Sequence, residues 1–185
     1  MHAEENLPPG KLKTTITYLE MRNKPQPRGL TPRSAKVKII PANNPTISFY
    51  RYLYNTVGAP WLWYERRQMS DEQLRALIQN PQVEIYVLYV DGVPAGYAEI
   101  DRRHETDIEL AYFGIMPEFI GQRLGPFFLN WMIDKAWSYH PQRFWLHTCT
   151  LDHPKALAVY QQAGFVPYKR EEKIIDDPRV LGLFL

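Results

Sequence analysis

The stretch that most constrains the fold of this chain runs from Glu109 to Phe128, Glu-Leu-Ala-Tyr-Phe-Gly-Ile-Met-Pro-Glu-Phe-Ile-Gly-Gln-Arg-Leu-Gly-Pro-Phe-Phe. An apolar strand passes through a glycine-bearing loop into an aromatic helix. A helix N-terminus presents unpaired N–H groups and the positive end of its dipole, and small residues let a ligand come close to the backbone. Such a junction suits a phosphate. Proline is tolerated in a first turn and not in a helix interior, so Pro126 predicts a helix start between Gln122 and Gly125.

Within this stretch, Pro117-x-x-Ile120-Gly121-Gln122-Arg123-Leu124-Gly125 resembles the acetyl-CoA motif of the GNAT superfamily of N-acetyltransferases, Gln/Arg-x-x-Gly-x-Gly/Ala. Ile120 stands where Gln or Arg is usual and Arg123 replaces the first of the two glycines. Pro117, Gly121 and Leu124 fit the form Pro-x-x-Arg-Gly-x-Gly-Ile/Leu-Gly. A second block, His147 to Phe165, resembles the strand, helix and Gly-Phe ending that follow in these proteins. In the pattern Asn-x-x-Ala-x-x-x-Tyr-x-x-x-Gly-Phe, His153 falls on the Asn, Ala156 on the Ala, Tyr160 on the Tyr and Gly164-Phe165 on the Gly-Phe. The resemblance covers roughly Val83 to Tyr168. It implies an α/β (α+β) fold: a mixed, mostly antiparallel central sheet with helices on both faces, binding acetyl-CoA as cosubstrate.

The 185 residues fit one domain with a substantial core, and 45% hydrophobic with 23% charged residues is a globular composition. A net charge of +2 gives no ground for a nucleic-acid partner. No apolar run is long enough to span a bilayer, and the polar start lacks a signal-peptide pattern, so no membrane partner and a cytoplasmic location are expected. The single cysteine, Cys149, excludes an intramolecular disulfide and a Cys-paired zinc site.

Residues 1–13 read as a mobile arm and 23–35, with three prolines, as an extended linker. Strands are predicted over Thr14 to Met21 and Lys36 to Ile40. A helix from Asn44-Pro45 to Gly58 puts Phe49, Tyr52, Leu53 and Thr56 on one face, the first three read as core, and Tyr50 and Tyr54 on another. Ser70-Asp-Glu-Gln73 is a capping-box start. Val83–Val90 and Pro94–Arg102 flank an Asp91-Gly92 hairpin turn, and Asp107–Ile115 completes the meander. Glu109, Ala111 and Phe113 point one way and Ile108, Leu110 and Tyr112 the other, until Gly114 permits a bulge. In GNAT proteins such a bulge splays the strand from its parallel neighbour and opens a slot for pantetheine. The helix to Tyr139 carries a stripe of Leu124, Phe128, Trp131 and Lys135 flanked by Phe127 and Met132. Arg143–Thr150 is a central strand. The next helix is capped by Asp152 or His153 and ends at Gly164, and a last strand over Val166–Ile175 precedes an apolar tail expected to dock.

Acetyl transfer to an amine needs a held acyl donor, a neutral amine, a donor for the developing oxyanion and a proton for the leaving thiolate. The candidate acetyl-CoA contacts are Phe113, Gly114, Ile115 and Met116 on the strand, Gly121, Gln122, Arg123, Leu124, Gly125 and Pro126 in the loop, and His153 and Tyr160. The Ile115 N–H or a neighbour polarises the carbonyl, while main-chain groups of the loop cradle the pyrophosphate. Tyr160 resembles the GNAT tyrosine that donates to the cofactor sulfur. Glu109 is the candidate general base, with Glu99 and Asp101 as substitutes. Tyr50, Tyr54, Trp61 and Trp63 are candidate walls of the acceptor pocket, since helices at this place wall it in the GNAT pattern. Arg123 either strains the backbone, if the motif glycine is needed for positive φ, or gains a phosphate contact. A nucleophilic pairing of His147 with Cys149 is rejected, and the five histidines show no metal-ligand spacing. The acceptor is a small-molecule or protein amine that the sequence does not identify, nor does it give the oligomeric state. An acyl-CoA-binding module without activity is the rival reading, and the absence of Gly-Lys-Ser/Thr argues against a Walker-type nucleotide site.

Overall fold

The computed structural model describes residues 7–26, 28–32 and 36–184. In chain order the elements are β1 (Lys11–Met21), β2 (Val37–Pro41), α1 (Ile47–Gly58), α2 (Glu65–Gln68), α3 (Asp71–Ile78), β3 (Val83–Val90), β4 (Val93–Asp101), β5 (Asp107–Ile115), α4 (Leu124–Trp137), β6 (Arg143–Cys149), α5 (Ala156–Ala163) and β7 (Val166–Asp176). The seven strands form one sheet in the order β2-β3-β4-β5-β6-β1-β7, antiparallel except for the β5–β6 pair. This is the mixed, mostly antiparallel sheet that the resemblance implied. The first strand is inserted between β6 and β7, antiparallel to both. β1 begins at Lys11, whose ammonium pairs with Asp176 at 2.6 Å, so the end of the expected N-terminal arm is strand. Residues 1–6 of that arm lie outside the described part.

Alternating side chains feed two cores, one on each face of the sheet. Leu19, Leu110, Phe144 and Leu146 pack with Phe128, Leu129 and Met132 of α4 on one face. Ile85, Val87 and Tyr97 pack with Tyr50, Leu53 and Tyr54 of α1 and Leu74 of α3 on the other. The Asp91-Gly92 turn has both residues at positive φ, 51° and 84°, as the tight hairpin needs. The capping box at Ser70 forms with both reciprocal hydrogen bonds.

Four expectations are corrected. Tyr50, Leu53, Tyr54 and Val57 are the buried stripe of α1, whereas Tyr52 is 46% exposed. Both tyrosine hydroxyls find hydrogen-bond partners, Tyr50 the buried Glu99 and Tyr54 Glu65, which lets their polar tips go inside. The β5 bulge falls at Ala111, since Glu99 pairs with Tyr112 and Ile100 with Leu110. That extra residue turns Tyr112 to the α1 face and Phe113 to the α4 face, the reverse of simple alternation. The buried stripe of α4 keeps the expected Leu124, Phe128 and Met132 but continues through Leu129, Ile133 and Ala136 rather than Trp131 and Lys135. Neither Asp152 nor His153 caps α5, whose N-cap is Lys155 with no side-chain bond.

The tail docks by its last described residues: Arg67 donates to the Leu183 carbonyl at 3.0 Å and lies over the Phe184 ring.

Candidate active site

Pairing of β5 with β6 runs only from Asp107↔Arg143 to Glu109↔Trp145. Beyond Glu109 the two strands separate, and the edge of β5 that faces β6 has no ladder partner. Backbone polar groups there are open to a ligand, because a strand edge without a neighbour leaves alternate N–H and C=O groups unpaired. A cavity of about 890 Å³ occupies this opening and extends to the start of α4 on one side and to β1 and β7 on the other.

At the α4 end, the loop puts Gly121 at φ 87°, with open space where a Cβ would be, and Arg123 at φ 61°. The question left by the sequence is answered: the position does adopt the left-handed conformation, and Arg bears a cost of about 1 kcal/mol or more there. Among the described residues, nothing caps α4 with a side chain, and the Arg123 guanidinium has no ion-pair partner. A helix start with free N–H groups, a loop open at Gly121 and an unpaired cation together fit a pyrophosphate. Phe113, Gly114, Ile115, Gly121, Arg123, Leu124, Gly125, Pro126, His153 and Tyr160 all line the cavity. Met116 and Gln122 do not: Met116 is buried in the α1-side core, and Gln122 turns back to the Glu118 carbonyl.

Tyr160 reaches the cavity from α5, with its ring packed near Phe113 and Phe165. Its hydroxyl makes no hydrogen bond to a described residue. Burial, with the nearby Asp152 carboxylate, pushes its pKa well up, so the phenol stays protonated and available as a donor.

At the other end Glu109 faces His147, with Oε1 3.4 Å from Nδ1. The hydrogen bond to Glu109 raises the pKa of His147, and burial opposes it. Tyr18 of β1 sits directly across from His147 in the ladder, ring centroids 5.8 Å apart. The two substitutes for Glu109 are already engaged. Glu99 is fully buried and accepts from Tyr50 Oη at 2.5 Å and Arg66 Nη2 at 2.8 Å, and Asp101 is held by Arg103 at 2.6 Å.

Trp61 and Trp63 line the cavity as expected. Tyr50 and Tyr54 do not; they stand behind the wall, where Tyr50 holds Glu99 and Tyr54 donates to Glu65 Oε2 at 3.3 Å. The lining residues that take their place are Glu65, Arg66 and Tyr112, with Arg66 lying 4.9 Å from the Tyr112 ring centroid. The sequence pairs His147 only with Cys149 and singles out neither Glu65 nor Arg66. Their places at the cavity arise from strand pairing and helix docking across long sequence separations. Cys149 also lines the cavity, its thiol pushed up by burial, and it touches neither Glu109 nor His147 by hydrogen bond. Among the described residues no group of His, Cys, Asp and Glu could hold a metal ion, and no helix is long and apolar enough to cross a membrane.

The sequence model of the Acetyltransferase (GNAT) family matches residues 50–165, more than half of the chain. The chain belongs to the GNAT family. No curated protein matches it significantly in sequence. In fold it is similar to a protein of unknown function from Staphylococcus epidermidis, at 18% identity and a TM-score of 0.64, covering 91% of this chain and 63% of that one. It is similar also to a GCN5-related N-acetyltransferase from Sphaerobacter thermophilus, at 13% identity and a TM-score of 0.63, covering 88% and 52%. The chain therefore spans between half and two-thirds of the length of these two. An aminoglycoside N-acetyltransferase in complex with CoA matches at 18% identity and a TM-score of 0.56, covering 77% of this chain and 95% of that one. At such identities these likenesses concern the fold, and GNAT membership adds acyl transfer as the family's general chemistry.

Proposed function

We propose that this GNAT chain transfers the acetyl group of acetyl-CoA to a primary amine by direct attack, with donor and acceptor bound together. One observation carries the reading: a single cavity joins an uncapped helix start, an open strand edge, an unpartnered phenol and a carboxylate–imidazole pair. Acetyl-CoA supplies the acetyl group as an activated thioester. Backbone N–H groups of Gly121 to Gly125 and the Arg123 guanidinium hold its pyrophosphate, and the open edge of β5 pairs with its pantetheine amides. A backbone N–H on that edge stabilises the negative charge developing on the carbonyl oxygen.

The amine enters from the Glu109 end. Glu109 takes its proton, directly or through a water, and His147 holds the carboxylate in place. As the amine nitrogen bonds to the carbonyl carbon and the carbon–sulfur bond breaks, Tyr160 Oη gives its proton to the sulfur. The aromatic side chains of Trp61, Trp63 and Tyr112 exclude water from that step.

Incubation of the full chain with acetyl-CoA and a broad panel of amines, followed by free thiol release and product mass, tests this. Acetylation of at least one amine is expected. Tight acetyl-CoA binding with no amine acetylated would instead make the chain an acyl-CoA-binding module.

A further inference from the structure

We propose that the Trp63 indole is the stop that restricts this chain to acetyl-sized acyl groups; the proposal rests on the transferase reading above. The indole is seated from two sides by glycines. A Cβ on Gly58 would lie 2.5 Å from Trp63 Cε3, closer than such atoms ever come, and one on Gly114 would lie 3.6 Å from Trp63 Cη2 and 2.3 Å from Val57 Cγ1. Gly58 is the glycine that leaves room for the ring, while at Gly114 an added Cβ would only touch the indole and would clash with Val57 instead.

The third fixation is polar. Trp63 Nε1 donates to Asp152 Oδ1 at 3.1 Å, and Asp152 is itself held, its Oδ2 accepting from Thr148 Oγ1 at 2.6 Å and from the Cys149 N–H at 3.0 Å. Gly114 lies on β5 and Asp152 just after β6. The indole therefore reaches across the gap between the two strands that separate, on the α1 face of the sheet, while α4 packs on the opposite face. A group passing through the gap from the α4 side meets a ring that packing and a hydrogen bond hold in place. Close-packed surroundings tolerate added methylenes poorly, so the ring admits a methyl and resists a longer chain.

Binding tests this without requiring turnover. In isothermal titration of the full chain, acetyl-CoA should bind at least about tenfold more tightly than butyryl-CoA. Trp63→Leu should bring the two affinities within about threefold, mainly by improving butyryl-CoA, and Trp63→Phe, which keeps a ring, should retain most of the preference. Trp63→Met, unbranched and adaptable, serves the same purpose if the Leu variant does not melt cooperatively. Equal affinities in the wild type overturn the proposal, as does an undiminished preference in a cooperatively folded Leu or Met variant. If both donors bind as expected and no amine is acetylated, the transferase reading fails and the acyl stop stands. Acetylation with equal donor affinities gives the reverse.

Discussion

The two ends of the cavity are built differently. The end at α4 is drawn mostly from a single run of sequence between Phe113 and Pro126, whose open strand edge and uncapped helix start offer backbone groups. The Glu109 end consists of side chains drawn from β1, β4, β5, β6 and the α1–α2 region, and a buried ionic layer supports it: Glu99, at 1% side-chain exposure, pairs with Arg66, at 14%. A backbone site survives substitution of its side chains, whereas a side-chain site depends on each partner. The departures at Ile120 and Arg123 are tolerable for that reason, and the acceptor end should be the fragile one.

The largest effect should come from that supporting layer. Glu99→Ala leaves the Arg66 guanidinium buried without its partner and should cost about 3–5 kcal/mol of stability, read by urea unfolding. A loss below about 1 kcal/mol would mean that the wall does not depend on the pair. Glu109→Gln comes next. It should lower turnover ~10²-fold, with the loss greatest at lower pH where the amine is an ammonium, and leave acetyl-CoA affinity unchanged. The same change removes the main cause of the raised His147 pKa, so the imidazole should titrate lower by NMR. The sign is fixed by linkage. A raised folded pKa stabilises below the unfolded value, 6.5, and that contribution disappears as pH rises through the folded value; Glu109→Gln should remove this pH dependence.

Tyr97→Phe should act the other way. The Tyr97 hydroxyl is buried beside the same wall with no hydrogen-bond partner among the described residues, and removing it should raise stability by about 1 kcal/mol. Smallest of all is Arg123→Gly: relief of the left-handed backbone is offset by the greater freedom of unfolded glycine, so the net change should stay within about 1 kcal/mol. Acetyl-CoA should bind within about tenfold of wild type. A hundredfold loss would make Arg123 a principal anchor and contradict the backbone cradle.

The same contrast governs what the sequence reveals. The loop and helix start, the Asp91-Gly92 turn, the capping box and the limits of β5 are legible because each is specified by neighbours in the chain. The position of Glu109 and Tyr160 on the cavity is legible through the family pattern they sit in. The Ala111 bulge is not, because it is defined by pairing with β4 and leaves no signature in Leu-Ala-Tyr. Nor is the burial of Tyr50 and Tyr54, which depends on Glu99 and Glu65 arriving from other elements. His147 acquires its meaning only when β6 brings it beside Glu109.

The central claim is that one cavity both holds acetyl-CoA and completes the transfer, and Tyr160→Phe tests it most directly. The change keeps the ring and deletes the proton donor. With an accepted amine, the account predicts turnover reduced ~10²-fold and acetyl-CoA affinity within about twofold of wild type. Unchanged turnover, or a loss of affinity that matches the loss of rate, would contradict it.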